Sequence, residues 1–122
     1  MTRRRPDQQG QATVELVLAL PVVLVSLLLL MQIALVVRAQ VLVVDAAREG
    51  ARAAAVGDSA VTAARATPGL GSERLTVEVH RSGPQMVEVT VRYRAPTDVA
   101  LVGLLVADPR LTATVAMRVE DP

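Results

Sequence analysis

Residues 16–37 read LVLALPVVLVSLLLLMQIALVV and form an apolar stretch without a single charged side chain. At a rise of 1.5 Å per residue, a helix of this length reaches about 33 Å, enough to cross a hydrocarbon core of about 30 Å. A chain of 122 residues has room for one small domain besides this helix and could hardly bury the helix on all sides. The stretch therefore predicts a transmembrane helix, which we place at residues 11–38.

A short polar segment precedes the apolar stretch. It reads MTRRRPDQQG over residues 1–10 and carries three arginines, whereas only Arg38 follows the stretch directly. This bias predicts a cytoplasmic N-terminus and a translocated C-terminal body. An ordinary secretion signal is cleaved after its apolar stretch and loses it, but cleavage between Gly10 and Gln11 would remove only the polar leader. The apolar helix would then form the N-terminus of the mature protein.

Glu15 is a charged residue placed at the start of the apolar region. A mature chain beginning at Gln11 carries a positive amine four residues earlier, one helical turn or about 6 Å away. A lone carboxylate toward the bilayer centre costs about 2.5–3.5 kcal/mol, and less near the interface. Pairing with an amine of the same chain or of a neighbour offsets this cost and sets the axial stagger of packed helices. The alternative is a stabilisation of the helix N-terminus through the helix dipole, worth about 0.3–1 kcal/mol.

The helical pattern continues beyond the apolar stretch, because residues 39–55 read AQVLVVDAAREGARAAA. Charged residues lie on one stripe of this helix and small residues on the opposite face. Small side chains let another backbone approach closely, either from the same chain or from a neighbouring subunit. We therefore predict a helix packing face made of Ala47, Gly50, Ala51 and Ala54.

The pattern changes in the second half of the chain. A short second helix through Ala66 is expected, with Asp58 or Ser59 as its N-cap. Apolar and polar residues then alternate with a period of two in three segments, at 75–80, 87–94 and 111–120.

Three one-sided strands predict an antiparallel sheet with one apolar face, and the helix at 39–55 is available to cover it. The predicted fold class is therefore α+β: a long N-terminal transmembrane helix continues into a small extracytoplasmic domain, residues 39–122, with a three-stranded antiparallel sheet.

Nine apolar residues, VALVGLLVA at 99–107, separate the second strand from the third. They are too few to span a bilayer. One interpretation is a short helix, capped by Thr97 or Asp98, that completes the core. The other is an apolar patch that faces the membrane or a partner subunit.

Side chains that support catalysis are scarce in this sequence. There is no Cys, and His80, the single histidine, falls on the polar face of a predicted strand, so neither a thiolate metal site nor a Cys/His dyad is available. The net charge is +1 and the arginines are dispersed, which does not indicate nucleic-acid binding. We therefore expect a protein that is not an enzyme and that uses no cofactor, metal, nucleic acid or small-molecule substrate.

Three segments of the N-terminal half together resemble the TadE-like family, the minor pseudopilins of tight-adherence (Tad/Flp) pilus systems. They are GQATVE at 10–15 followed by LVLALP, the apolar helix to Val37, and AAREGARAA at 46–54. The resemblance implies a pilin-like outer domain and cleavage after Gly10 by an integral-membrane prepilin peptidase. Glu15 would become the fifth mature residue, a position that family members use for processing and subunit assembly.

The resemblance further implies a single-pass protein of the cell membrane that assists the assembly of an adhesive pilus. Its partners would be membrane lipid, the prepilin peptidase, other pilin or pseudopilin subunits and the pilus assembly platform. Many prepilins have an aromatic residue after the glutamate, and Leu16 at that place argues against a major pilin. Two alternatives are an unprocessed single-pass anchor that displays a small interaction domain, and a secreted domain cleaved after Val37-Arg38-Ala39.

Overall fold

The computed structural model describes residues 7–120, with side chains from Gly10 onward, so residues 1–6 of the predicted leader lie outside the described part. A long apolar helix is followed by a three-stranded antiparallel sheet, which confirms the predicted α+β fold class. The elements are α1 (Asp7–Ala55), α2 (Ala60–Arg65), a 3-10 turn (Ser72–Arg74), β1 (Leu75–Arg81), β2 (Met86–Arg94), α3 (Val102–Leu105) and β3 (Arg110–Arg118).

The long helix α1 runs without interruption for 49 residues, about 74 Å at the standard rise. Pro21 lies inside it, in the apolar half. A proline removes one backbone hydrogen bond from a helix interior, and such a loss is tolerated where the helix is stabilised by its surroundings. The apolar stretch and the small-residue segment are therefore parts of a single rod.

The sheet has β2 at its centre, paired antiparallel with β1 on one side and with β3 on the other. The alternation along β2 separates an apolar face from a polar one, as a half-covered sheet requires. On the polar face, Thr90 and Thr114 share a hydrogen bond of 3.0 Å across the strands. The buried side chains of β2 are Val87, Val89, Val91 and Tyr93.

The second half of α1 lies on the apolar face of the sheet, together with α2. The Gln40 side-chain amide donates to the carbonyl of Thr112 at 3.4 Å, and the Glu120 amide donates to the carbonyl of Ala55 at 3.2 Å. The first bond links Gln40 of α1 to Thr112, near the start of β3. The second links Ala55, the last residue of α1, to Glu120, just after the end of β3. The two elements therefore run side by side in the same direction. The loop before β3 therefore lies at the end of the domain that points toward the apolar half of α1.

The short helix α2 begins after Ser59, whose hydroxyl accepts a hydrogen bond from the Thr62 amide at 3.3 Å. Ser59 is thus the N-cap, one of the two residues predicted for that role. Ala60 and Ala64 are buried. The small side chains of α2 let its backbone come close to α1.

The expected cap of the helix within residues 99–107 is wrong. This helix, α3, is a single turn that begins at Val102, and its N-cap position is occupied by Leu101 with no side-chain hydrogen bond. The Thr97 hydroxyl forms no hydrogen bond with the described residues, and the Thr97 amide donates to the Asp108 carboxylate at 3.0 Å. Leu101 has a φ of 67°, a left-handed conformation that costs a leucine about 1–2 kcal/mol.

Candidate functional site

The predicted cleavage point lies at the start of α1. Gly10, Gln11 and Glu15 are all exposed, and a side chain built at Gly10 would meet no other atom within 4 Å. Residues 7–10 of the predicted leader already belong to the helix, which begins at Asp7. The Gly10–Gln11 bond is thus surrounded by open space.

Glu15 is the sole charged residue of the sequence between Asp7 and Arg38. It is exposed and forms no ion pair with any other residue from Gly10 to Glu120. A carboxylate on an apolar helix surface needs a positive partner once water is removed. Within a single copy of the described chain that partner is missing.

The apolar half of α1 exposes nearly all of its large side chains, from Val14 to Val37. This helix is long and apolar enough to cross a membrane. Its polar Ser26 satisfies its own hydroxyl by donating to the Val22 carbonyl at 2.8 Å, as hydroxyls do within apolar helices. The surface is therefore suited to lipid or to other apolar helices.

The small-residue face of α1 packs within its own chain. A side-chain carbon at Gly50 would come within 3.1 Å of the Val89 side chain, 3.3 Å of the Ala60 carbonyl and 3.5 Å of the Ala64 methyl group. The sheet and α2 thus approach the helix backbone at Gly50 as closely as van der Waals contact allows. The other three residues of the predicted packing face are also buried, namely Ala47, Ala51 and Ala54.

One stripe of α1 that lies N-terminal to the packing face is covered by the domain. Leu28 and Val36 are half-buried, and between them Gln32 is only 6% exposed, although Met31 and Ile33 beside it are 56% and 59% exposed. Neither polar atom of the Gln32 side chain has a hydrogen-bond partner among the described residues. The turn α3 contacts α1, and its Val102 is buried. The part of the domain that contains α3 therefore lies beside the apolar half of α1.

Asp108 closes the loop that carries α3. One carboxylate oxygen accepts from the Thr97 amide at 3.0 Å, and the other accepts from the Arg74 guanidinium at 3.2 Å. The hydrogen bond from the Thr97 backbone, helped by the positive charge of Arg74 and opposed by partial desolvation, holds the pKa of Asp108 below its ordinary value. The carboxylate thus ties together the two ends of the turn between β2 and β3.

Two arginines face each other at the same end of the sheet. Arg94 and Arg110 are directly paired in the register of β2 and β3, and both are exposed. Neither forms an ion pair with another residue of the described chain. Like charges directly opposite each other destabilise a sheet, and an anion between them relieves the repulsion. By contrast His80 is exposed on β1, opposite Glu88, and lies away from this end.

These features place the chain in a class of proteins in which a small α+β domain follows one long helix that is apolar enough to cross a membrane. A family model described as TadE-like protein matches residues 10–52. The match covers 43 of the 122 residues, and within α1 it includes the predicted cleavage point, Glu15 and most of the packing face. It confirms the predicted resemblance to the TadE-like family over this segment. No curated protein and no solved structure matches the chain.

Several features of this end of the molecule were not predicted from the sequence. The buried amide of Gln32 and the tie made by Asp108 depend on the way the loop folds, and the facing pair Arg94 and Arg110 depends on the register of β2 and β3. The one available signal was Asp108-Pro109 at the end of the apolar run. A proline after an aspartate favours a turn there, but it does not say what the carboxylate binds.

Proposed function

We propose that this chain is a minor pilin-like subunit, a pseudopilin, that assists the assembly of a Tad/Flp-type adhesive pilus. The observation that carries the proposal is the TadE-like match over residues 10–52, the segment that holds Gly10, Glu15 and the exposed apolar surface. The partners in this role are membrane lipid, the prepilin peptidase, other pilin or pseudopilin subunits and the pilus assembly platform. No catalytic activity is included in the proposal.

The division of α1 supports a role in subunit assembly. Its C-terminal half is already covered by the sheet and α2 of the same chain. Contacts between the helices of neighbouring subunits must therefore use the exposed half, from Val14 to Val37. In the membrane before assembly, the same surface is covered by lipid, with the N-terminus cytoplasmic and the domain extracytoplasmic.

Cleavage after Gly10 would give Glu15 the partner that it lacks in the single chain. The new amine at Gln11 lies one helical turn from the carboxylate, about 6 Å along the axis. A neighbouring subunit shifted along the axis brings its own amine to the same carboxylate. The axial register of the assembled helices would then depend on an ion pair that forms only after processing.

The first experiment is the intact mass of the protein in membrane fractions from cells with and without prepilin peptidase. We expect a chain that starts at Gln11 only when the peptidase is present. Gly10→Val should retain the leader, and Gln9→Ala, next to the same bond, should be processed normally. A start at Met1 in both strains would favour the unprocessed membrane anchor instead.

The second experiment separates assembly from anchoring. Glu15→Ala should abolish the assembled pilus while the protein stays in the membrane, because the substitution removes the carboxylate and leaves the apolar surface unchanged. Glu49→Ala is the matched control, since it removes an exposed carboxylate from the half of α1 that packs on the domain. Normal pilus assembly by Glu15→Ala would contradict the proposed role of Glu15.

A further inference from the structure

We propose that the apolar turn at 99–106 docks on the outer leaflet of the bilayer that holds α1, so that the domain contacts lipid directly. The inference rests on the proposed membrane insertion of α1 and assigns a second contact to the same membrane. It concerns the apolar run whose role the sequence left open between core, membrane and partner subunit.

The first step is the composition of the exposed surface. Leu104 is 86% exposed and Leu105 is 79% exposed, the two highest values among the large hydrophobic side chains of the described residues. Leu101 and Val106 extend the same patch. Val102 alone anchors the turn by burial. An apolar patch of this kind on the surface of a domain marks an interaction surface.

The second step is the level of the patch along α1. The turn α3 contacts α1, and on the N-terminal side of the packing face α1 buries one stripe, which consists of Gln32 and, in part, Leu28 and Val36. These three residues precede Arg38 by six, ten and two positions, about 9 Å, 15 Å and 3 Å along the helix. The turn α3 therefore lies next to the C-terminal end of the apolar half of α1, and not beyond Arg38. A helix inserted as proposed brings the patch to the membrane interface.

The third step is the charge around the patch. Arg94 and Arg110 lie at the same end of the domain, on the strands that lead into and out of the loop, and Arg38 follows the apolar surface of α1. Two exposed carboxylates flank the turn, of which Asp108 is paired with Arg74 and Asp98 lies just before the apolar run. In a membrane, the guanidinium groups of these arginines would contact the lipid phosphates, and the exposed leucines would contact the acyl chains below them. Anionic headgroups also relieve the repulsion between the facing guanidinium groups.

The apolar patch adjoins the exposed surface of α1, and this favours lipid over a protein partner as its occupant. The apolar patch continues the exposed surface of α1 at the same level, and a bilayer that covers the one also covers the other. The patch consists of four side chains on one strained turn, which can insert among headgroups and acyl chains without a complementary surface. The geometry thus favours the membrane as the occupant.

The experiment uses the absence of cysteine from the sequence, because a single introduced cysteine then directs a fluorescent label to one site. Leu104→Cys tests the patch, Leu24→Cys reports the middle of the predicted span, and Ser82→Cys reports the hairpin at the opposite end of the domain. Each full-length variant is labelled with an environment-sensitive dye and reconstituted into phosphatidylcholine and phosphatidylglycerol vesicles. Nitroxide-labelled lipid and aqueous iodide serve as quenchers, and Leu105→Cys repeats the measurement at a second exposed position.

We expect nitroxide lipid to quench the labels at positions 24 and 104, and iodide to quench only the label at position 82. Quenching of position 24 without position 104 would overturn the docking of the turn and leave the insertion of α1 intact. Protection of position 104 from both quenchers would mean that protein covers the patch, which also overturns the proposal. If position 24 is open to iodide, α1 is not inserted, and the proposed function fails together with the inference.

Discussion

The two halves of α1 have the same backbone and opposite surroundings. From Val14 to Val37 the helix exposes large apolar side chains, whereas from Val43 to Ala55 it buries small ones against the sheet and α2. Large branched side chains suit a fluid lipid surface, and alanine and glycine suit a neighbouring backbone that must approach closely. The difference shows that side-chain size, as well as hydrophobicity, determines which part of a helix packs in its own domain.

The charges of α1 follow the same division. Glu15 is the single charge within the apolar half, whereas the packed half carries Asp45, Arg48, Glu49 and Arg52 on its exposed side. Charges are inexpensive where water covers one side of a helix and costly where lipid surrounds it. The comparison can be tested by exchanging the features of the two halves.

The largest effect is expected from a charge in the middle of the apolar half. Leu24→Arg places a cation near the centre of the predicted span, at a cost to insertion of about 2.5–3.5 kcal/mol. The fraction of protein that resists carbonate extraction from membranes should fall strongly. Glu49→Arg introduces the same residue in the packed half and should leave that fraction unchanged. Full membrane retention of Leu24→Arg would contradict the assignment of this half to lipid.

A side chain at Gly50 is expected to break the packing of the other half. Gly50→Val inserts atoms against Val89 and α2, and overpacking of this kind costs about 1–3 kcal/mol of unfolding free energy. Tyr93 is the one aromatic residue of the chain and is buried, so its fluorescence follows guanidinium unfolding of the detergent-solubilised protein. Arg52→Val places the same side chain on the exposed face and is the control. Equal stabilities of the two variants would argue against a close approach at Gly50.

Gln32 is the buried polar residue of the apolar half, and its substitution should change stability in the opposite direction. Its buried amide has no hydrogen-bond partner, and an unsatisfied polar group of this kind costs about 1–3 kcal/mol. Gln32→Met keeps the shape and removes the polar atoms, so we expect a gain of about 1 kcal/mol in the same unfolding measurement. Gln40→Met is the control, because it removes a bond to Thr112 and gains nothing. A loss of stability in Gln32→Met would show that the amide is in fact bonded.

The smallest effect concerns the turn that links the domain to the apolar half. Because the folded state lowers the pKa of Asp108, the stability contributed by this carboxylate is present above its ordinary value of 3.8 and is lost as the pH falls through the lowered pKa. A nitroxide label at Leu104→Cys should become more mobile over this acid range. Asp108→Asn should show high mobility at all pH values above the transition, and Asp98→Asn is the neighbouring control. A profile that is the same with and without Asp108 would exclude its role in closing the turn.

The strands and the packing face were accessible to sequence reasoning because each has a strong periodic signal. The alternation from Val87 to Tyr93 predicts a one-sided strand, and the structure shows that strand with its valines buried. The small residues around Gly50 indicate close packing, but a pattern of this kind does not identify the partner. The structure shows that the partner is Val89 together with α2 of the same chain.

The loop at 99–107 was only partly predictable, since its conformation depends on contacts between residues distant in sequence. Its apolar composition is compatible with burial or exposure, and Thr97 reads equally well as a helix cap or as a loop residue. The bond from Thr97 to Asp108 and the contact of α3 with α1 decide between these states. They also direct Leu104 and Leu105 outward.

The sequence by itself determined the long apolar helix, the α+β class and the resemblance to TadE-like proteins, because these depend on local composition, on periodicity and on the order of short segments. Only the tertiary structure decided that the small-residue face packs on its own sheet, that Gln32 is buried without a partner and that an apolar turn lies beside the lower part of α1. Each of these depends on bringing together segments more than thirty residues apart in the sequence. A sequence pattern shows which surfaces a segment offers, and the folded chain determines which of them remain free.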